Sequence, residues 1–303
     1  MKLNSIINIY TYNNILHPAQ RNSAPVFRGQ AEEITKLESI KSNKLGVLKS
    51  IILHKKSSYE TQEPVLDDNT YIIRMFRYKN KTSFAKKMNG LTYKISDMIK
   101  NNADFDEILK TAEDGVKDIR HRKNWGKKRE DFGHFNLTFY DRGCEYWKKY
   151  IKLAEFDSQN PKYSIKPKSN KEYPNANTCT ISYYDCEDGK IIIHYGSNGK
   201  SSNLDLVKKE YEKLKSNKNP NLNDINRSSA TIQWLIAQET PYKRGSDSIA
   251  NLLTKSIYHA YGIKVSPAKE GKSFDFEAFY RNLDDYIKIY PDIFEIPPYK
   301  IKD

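Results

Sequence analysis

From Asn203 to Ile287 the apolar residues fall three and four apart in one stretch after another, a period that commits this part of the chain to packed helices. Val207, Tyr211 and Leu214 mark one face of a helix that Asn203 caps, and a loop over 216–223 leads to a second helix over 224–238. Ile249, Leu252, Leu253, Ile257 and Ala260 lie on one side of a third helix, which begins after Gly245 and stops at Gly262. Ser273 caps a fourth, carrying Phe276, Phe279, Leu283 and Ile287; Pro291 ends it, and the tail with Pro297 and Pro298 reads as irregular.

Upstream the pattern is mixed. Residues 1–31 are Asn-rich, hold Pro18 and Pro25, and show no sustained period, which reads as a mobile leader. Helical spacing runs over 32–54, β-branched and aromatic residues predict a strand over 70–78, and helices follow at 83–88, 93–100 and 104–119, the last capped by Asp104. A strand is expected at 135–140 and a helix at 144–153. Pro161, Pro167 and Pro174 make 157–177 a long connection, after which strands at 178–184 and 190–195 form a hairpin around Asp188-Gly189. The fold class is therefore mainly α with a small β component (α+β). The expected order is a leader 1–31, a helical and mixed region 32–156, a linker 157–177 and a helical domain 178–303.

The composition narrows the function classes. At 38% hydrophobic and 12% aromatic residues the chain can build a core, and with 29% charged residues and no long apolar run it holds no membrane span. No continuous apolar block precedes a small-residue cleavage site, so no classical signal peptide is read; the expected location is the cytoplasm, or export by a specialised secretion system. Cys144, Cys179 and Cys186 match no zinc-ribbon or CxxC spacing, and no metal site is assigned. The net charge of +13 rests mostly on Lys in an Asn-, Ile- and Tyr-rich chain, so it does not choose a partner by itself. The densest basic run does suggest one: Arg120, Arg122, Lys123, Trp125, Lys127, Lys128 and Arg129 could hold nucleic acid or an acidic partner, without enzymatic activity.

The sharper candidate is the turn before the third helix. Gly245 permits close backbone approach, Ser246 and the first N–H groups of the helix offer an anion site at the positive end of the helix dipole, and Arg244 stands beside them. Thr240, Tyr242, Lys243 and Ser248 complete the set of ligand-binding candidates, while Asp247 in the first turn opposes an anion. Gly199-Lys200-Ser201 matches the end of a phosphate-binding loop but has His194 where the first glycine belongs; Lys200 is kept as a ligand contact. The six histidines have no partner at a diagnostic spacing.

The order of hairpin, helix, loop, helix, turn and helix over 178–263, with Thr240-Pro241-Tyr242-Lys243-Arg244-Gly245-Ser246-Asp247-Ser248 at the turn, resembles the core of the Fic/Doc (Fido) family. That resemblance implies a helical Fido-like core with a target-docking β-hairpin, a nucleotide or other phosphorylated ligand, a protein target and transferase activity on a protein hydroxyl, in an effector or toxin. Thr240 stands where the family has its general-base His, Arg244 where an acidic residue holds Mg²⁺, and Ser248 where an Arg binds phosphate. A threonine cannot act as that base, so ordinary Mg²⁺-dependent AMP transfer is not expected, and no cofactor beyond a nucleotide is implied.

Overall fold

The computed structural model describes residues 70–71, 82–120, 124–130, 136–141, 155–157, 162–165, 170–185, 190–197 and 202–300. Every described residue lies within the unit Gln62–Asp303. The leader, the helical spacing over 32–54, most of the strand over 70–78 and the helix over 144–153 lie outside the described residues, as do Arg122, Lys123 and Lys200.

The architecture is mainly helical with a small β component, as the periodicity predicts. Helix α1 (Thr82–Lys100) is one helix where two short ones are expected. Ala85, Met88, Thr92, Ile95 and Ile99 form a continuous buried face, so packing carries the helix through Gly90 at a cost of about 1 kcal/mol. Helix α2 (Phe105–Arg120) opens where Asp104 Oδ1 accepts from the amide of Asp106 at 2.8 Å.

Five strands follow: β1 (Asn136–Asp141), β2 (Glu155–Asp157), β3 (Lys162–Ile165), β4 (Cys179–Asp185) and β5 (Lys190–Ser197). They form one antiparallel sheet in the order β1-β5-β4-β3-β2, with the hairpin β4–β5 at its centre. Strand β3 lies within the stretch read as an irregular connection, and β2 ends at that stretch's first residue. Pro161 and Pro167 flank β3 rather than interrupt it, so its ladder with β4, from Tyr163↔Tyr183 to Ile165↔Ile181, remains intact.

The C-terminal helices are α3 (Asn203–Ser216), α4 (Leu222–Glu239), α5 (Ser246–Ala260), α6 (Phe274–Phe279) and α7 (Leu283–Ile293). Ser202, not Asn203, caps α3, its Oγ accepting from the amide of Leu204 at 3.2 Å. Asn203 is buried instead, and its side chain donates to the carbonyls of Asn177 and Leu235. Helix α4 starts two residues before expectation because Asn221 and Asp224 form a reciprocal capping box. The expected fourth helix is two. Asn282 accepts from the amide of Asp285 at 2.8 Å and restarts the chain as α7, and Pro291 lies inside that helix rather than ending it. In the tail, β7 (Tyr299–Lys300) pairs antiparallel with β6 (Ile263–Lys264).

Helix α4 is the axis of the body. Every residue from Ser228 to Glu239 is buried, and the helix packs against α3, α5, α6 and α7. Helix α5 packs between α4 and α1, so its start is held from both sides.

Candidate functional site

The turn and the basic run, far apart in sequence, form one structural unit. The amide of Arg129 donates to Pro241 O at 2.8 Å, Lys243 N to Lys127 O at 2.9 Å, and Gly126 N to Arg244 O at 3.1 Å. This ladder absorbs several of the residues singled out as ligand contacts. Thr240 ends α4 in the left-handed region at φ 48°, and its Oγ1 accepts from Arg129 Nη1 at 3.0 Å. Tyr242 is buried and donates its hydroxyl to Glu113 Oε1 at 2.8 Å, while its amide donates to Ser246 Oγ at 3.3 Å. At Gly245, with φ 94°, a Cβ would lie 2.8 Å from Trp125 Cε3, so the indole requires glycine there. The Arg120 guanidinium covers Trp125 at 4.5 Å and Phe84 at 3.8 Å.

Trp125, read with the basic run as a contact for nucleic acid or an acidic partner, therefore packs on Gly245 and Arg120. Lys127, Lys128 and Arg244 are exposed and Lys243 is partly buried. Lys128 Nζ lies 3.3 Å from Glu113 Oε1, and Lys127 Nζ lies 3.8 Å from Glu130 Oε1.

Beside this unit the first turns of α5 form one wall of a narrow cleft that opens to solvent. Its polar lining includes Asp247, Ser248, Asn251 and Lys255 from α5 and Lys272 and Ser273 from the segment that enters α6. Tyr71, Phe84, Met88 and Phe274 give it an apolar side. Of the ligand-binding candidates named from sequence, Ser248 alone is in that lining, beside Asp247; Arg244 is an exposed position in the turn that precedes it.

The electrostatics of the cleft come from burial. Lys255 is 3% exposed, donates to the Thr70 carbonyl at 2.5 Å and lies 4.4 Å from the centre of the Tyr71 ring. Burial pushes its ammonium down to about 7. Asp247 Oδ1 accepts from Asn251 Nδ2 at 2.7 Å and Gln233 Nε2 at 3.4 Å, and burial together with Asp275 raises its carboxyl well above the ordinary range. Burial also raises Asp275, whose Oδ1 is held by the Ser273 hydroxyl and the amide of Phe276. Lys272 reaches buried Glu277 at 2.8 Å. Sequence reasoning missed Lys255 and Lys272 because charged residues default to solvent. The legible signal was a polar stripe, Ser248, Asn251, Lys255 and His259, at helical spacing on a helix otherwise rich in apolar residues.

Among the described residues no group of three His, Cys, Asp or Glu side chains is placed to hold a metal ion, and no helix is long and apolar enough to cross a membrane. The fold and site thus define a mainly helical protein with a small antiparallel sheet and a polar cleft beside the start of α5.

A family model described as avirulence protein, AvrB_AvrC, matches residues 79–297, well over half of the chain, and the chain belongs to that family. Its role is effector-like. No curated protein matches it. The family match corrects the Fic/Doc resemblance over 178–263: the model that fits spans nearly all of the helical body and is a different family. The earlier likeness rested on the order of elements, which unrelated functions share. The residue in the position of the general base, Thr240, is a buried helix cap bonded to Arg129. The transferase activity implied by that resemblance loses its support with it.

Proposed function

We propose that this avirulence-family protein is an effector delivered by secretion to a protein target in a host cell, and that its cleft takes a phosphate-bearing small molecule, nucleotides included. The observation that carries the ligand reading is the position of the cleft at the start of α5. The helix has Gly245 in its cap position and receives no side-chain cap. Its positive end is therefore open to an anion, and Ser248 and Lys272 both line the cleft beside it. Asp247, the residue that opposes an anion there, has its Oδ1 occupied by Asn251 and Gln233 and is driven toward its neutral form by burial and Asp275. The rings of Tyr71, Phe84 and Phe274 supply the apolar wall that a base or another flat group packs on. Arg244, exposed one residue before Gly245, serves at most as a rim contact.

A thermal-shift panel of ATP, ADP, other nucleotides and inorganic phosphates tests this reading. At least one phosphate compound raises the melting temperature progressively with concentration. A panel in which none does so sinks it.

A further inference from the structure

The basic ladder beside the turn takes no part in the cleft. Lys128 stands opposite Tyr242 in an antiparallel bridge, and Lys243 N donates to Lys127 O at 2.9 Å. That register sets Lys127 opposite Lys243, with Arg244 the next residue along. Like charges directly opposite on paired strands work against the pairing. Lys127 and Lys128 reach carboxylates, Glu130 at 3.8 Å and Glu113 at 3.3 Å. For Lys243 and Arg244 no carboxylate oxygen among the described residues lies within 4.0 Å.

The backbone that displays these cations is fixed. Arg129 Nη1 bonds Thr240 Oγ1 at 3.0 Å, and Gly245 closes on the Trp125 indole, which the Arg120 guanidinium covers. A partner therefore meets charges already arrayed and orders only their side-chain ends. The chemistry of the ladder also selects the partner. Trp125, the aromatic of the basic run, is taken up by Gly245 and Arg120 and is not displayed for stacking a base. The large hydrophobic residues exposed among the described residues, Ile296 and Tyr299, lie in the C-terminal tail, so none stands among these cations to enter a lipid surface. Glu113 and Glu130 are interspersed with the lysines, which suits a peptide carrying spaced carboxylates and opposes a continuous row of phosphates.

We infer that this ladder, with Lys127, Lys243 and Arg244 as its free cations, is the docking edge for an acidic segment of the protein target. The inference rests on the reading of the chain as an effector with a protein target, and it adds the surface and the charge of what docks there. Carboxylates of the target relieve the repulsion between Lys127 and Lys243, which gives the unfavourable pairing a use. Arg244, which the cleft leaves aside, belongs to this surface.

Fluorescence anisotropy of the full chain with a labelled peptide of about ten residues, alternating glutamate and glycine, tests this at low salt. The wild type binds the peptide, and its affinity falls as salt rises toward about 0.15 M. Lys127→Gln, Lys243→Gln and Arg244→Gln together weaken binding about tenfold or more, while the same change at the exposed Lys269, Lys288 and Lys300 alters it about threefold or less. Both triple variants must melt cooperatively before titration; if the ladder triple does not, Arg244→Gln alone replaces it, with an expected loss of about threefold. Equal loss in the two triples means that the net charge of +13 attracts the peptide without a defined site, and overturns the inference. Absence of peptide binding overturns it, as does tighter, equally ladder-dependent binding to duplex DNA or to phosphatidylserine vesicles. Proximity labelling in a host cell separates the inference from the reading beneath it. Loss of labelling in the ladder triple alone is the expected result; equal labelling of the same proteins by wild type and triple keeps the protein target and removes the ladder from its docking, and no labelled protein at all removes both.

Discussion

Arg129 Nη1 donates to Thr240 Oγ1 at 3.0 Å, which ties the basic segment to the end of α4 across 111 residues of chain. Arg129 is 7% exposed and Thr240 is 3% exposed, so the bond is sheltered from water. Thr240→Val keeps the shape and removes the acceptor. The expected cost is about 1.5–3 kcal/mol, the range for a hydrogen bond to a charged group. Urea unfolding measures it, and a variant as stable as wild type would show that the bond does not contribute.

Gly245 and Trp125 make a second prediction. Gly245→Ala places a Cβ against the indole in a backbone conformation with φ 94°. The expected loss is about 1–3 kcal/mol, part from the left-handed backbone and part from the clash. Trp125→Leu should remove the second part only. A double-mutant cycle then gives a coupling energy well away from zero, whereas simple additivity contradicts the contact.

These two pairs also mark what the sequence could and could not disclose. The helices from Asn203 onward were legible because their apolar faces repeat locally, and the hairpin β4–β5 because its turn and its strands adjoin. The union of the basic run with the turn was not, since backbone bonds from Gly126 to Arg244 and from Lys243 to Lys127 leave no periodic trace. Strand β3 was hidden by its flanking prolines, and the single helix α1 by Gly90. Ser248 lines the cleft, but Lys255 looked like an ordinary solvated lysine until α1 and the Thr70–Tyr71 segment covered it.

Glu239 gives a pH dependence. Its Oε2 accepts from the Asn203 amide at 2.9 Å at the start of α3, and burial pushes its carboxyl up from 4.5 to about 7. The folded state then binds more protons than the unfolded state between those values, so this group's contribution to stability is present below about pH 4.5 and is lost as pH rises through about 7. Glu239→Gln should reduce the fall in unfolding free energy between about pH 5 and pH 8 by up to about 3 kcal/mol. Parallel pH profiles for the variant and wild type would rule this out.

Glu277 behaves in the opposite sense. Burial pushes its carboxyl up, but Lys272, the Tyr280 hydroxyl and Arg281 outweigh that and leave it below the ordinary value. Its stabilising share is present above the unfolded carboxylate range and is lost as pH falls through the folded value. Glu277→Ala strands Lys272 and Arg281 beside a buried site and should cost about 3–5 kcal/mol at neutral pH, read by chemical unfolding. A loss below about 1 kcal/mol would mean that the cluster is a surface network in energetic terms.

The central claim is that ligand binding is seated at the first turns of α5 and not at the exposed Arg244. Calorimetric titration of whichever nucleotide gives the largest thermal shift, into wild type, Ser248→Tyr and Arg244→Ala, tests it most directly. The account predicts that Ser248→Tyr, which fills the cleft, weakens binding about tenfold or more, while Arg244→Ala changes it by about threefold or less. Binding that survives Ser248→Tyr and collapses in Arg244→Ala would contradict it.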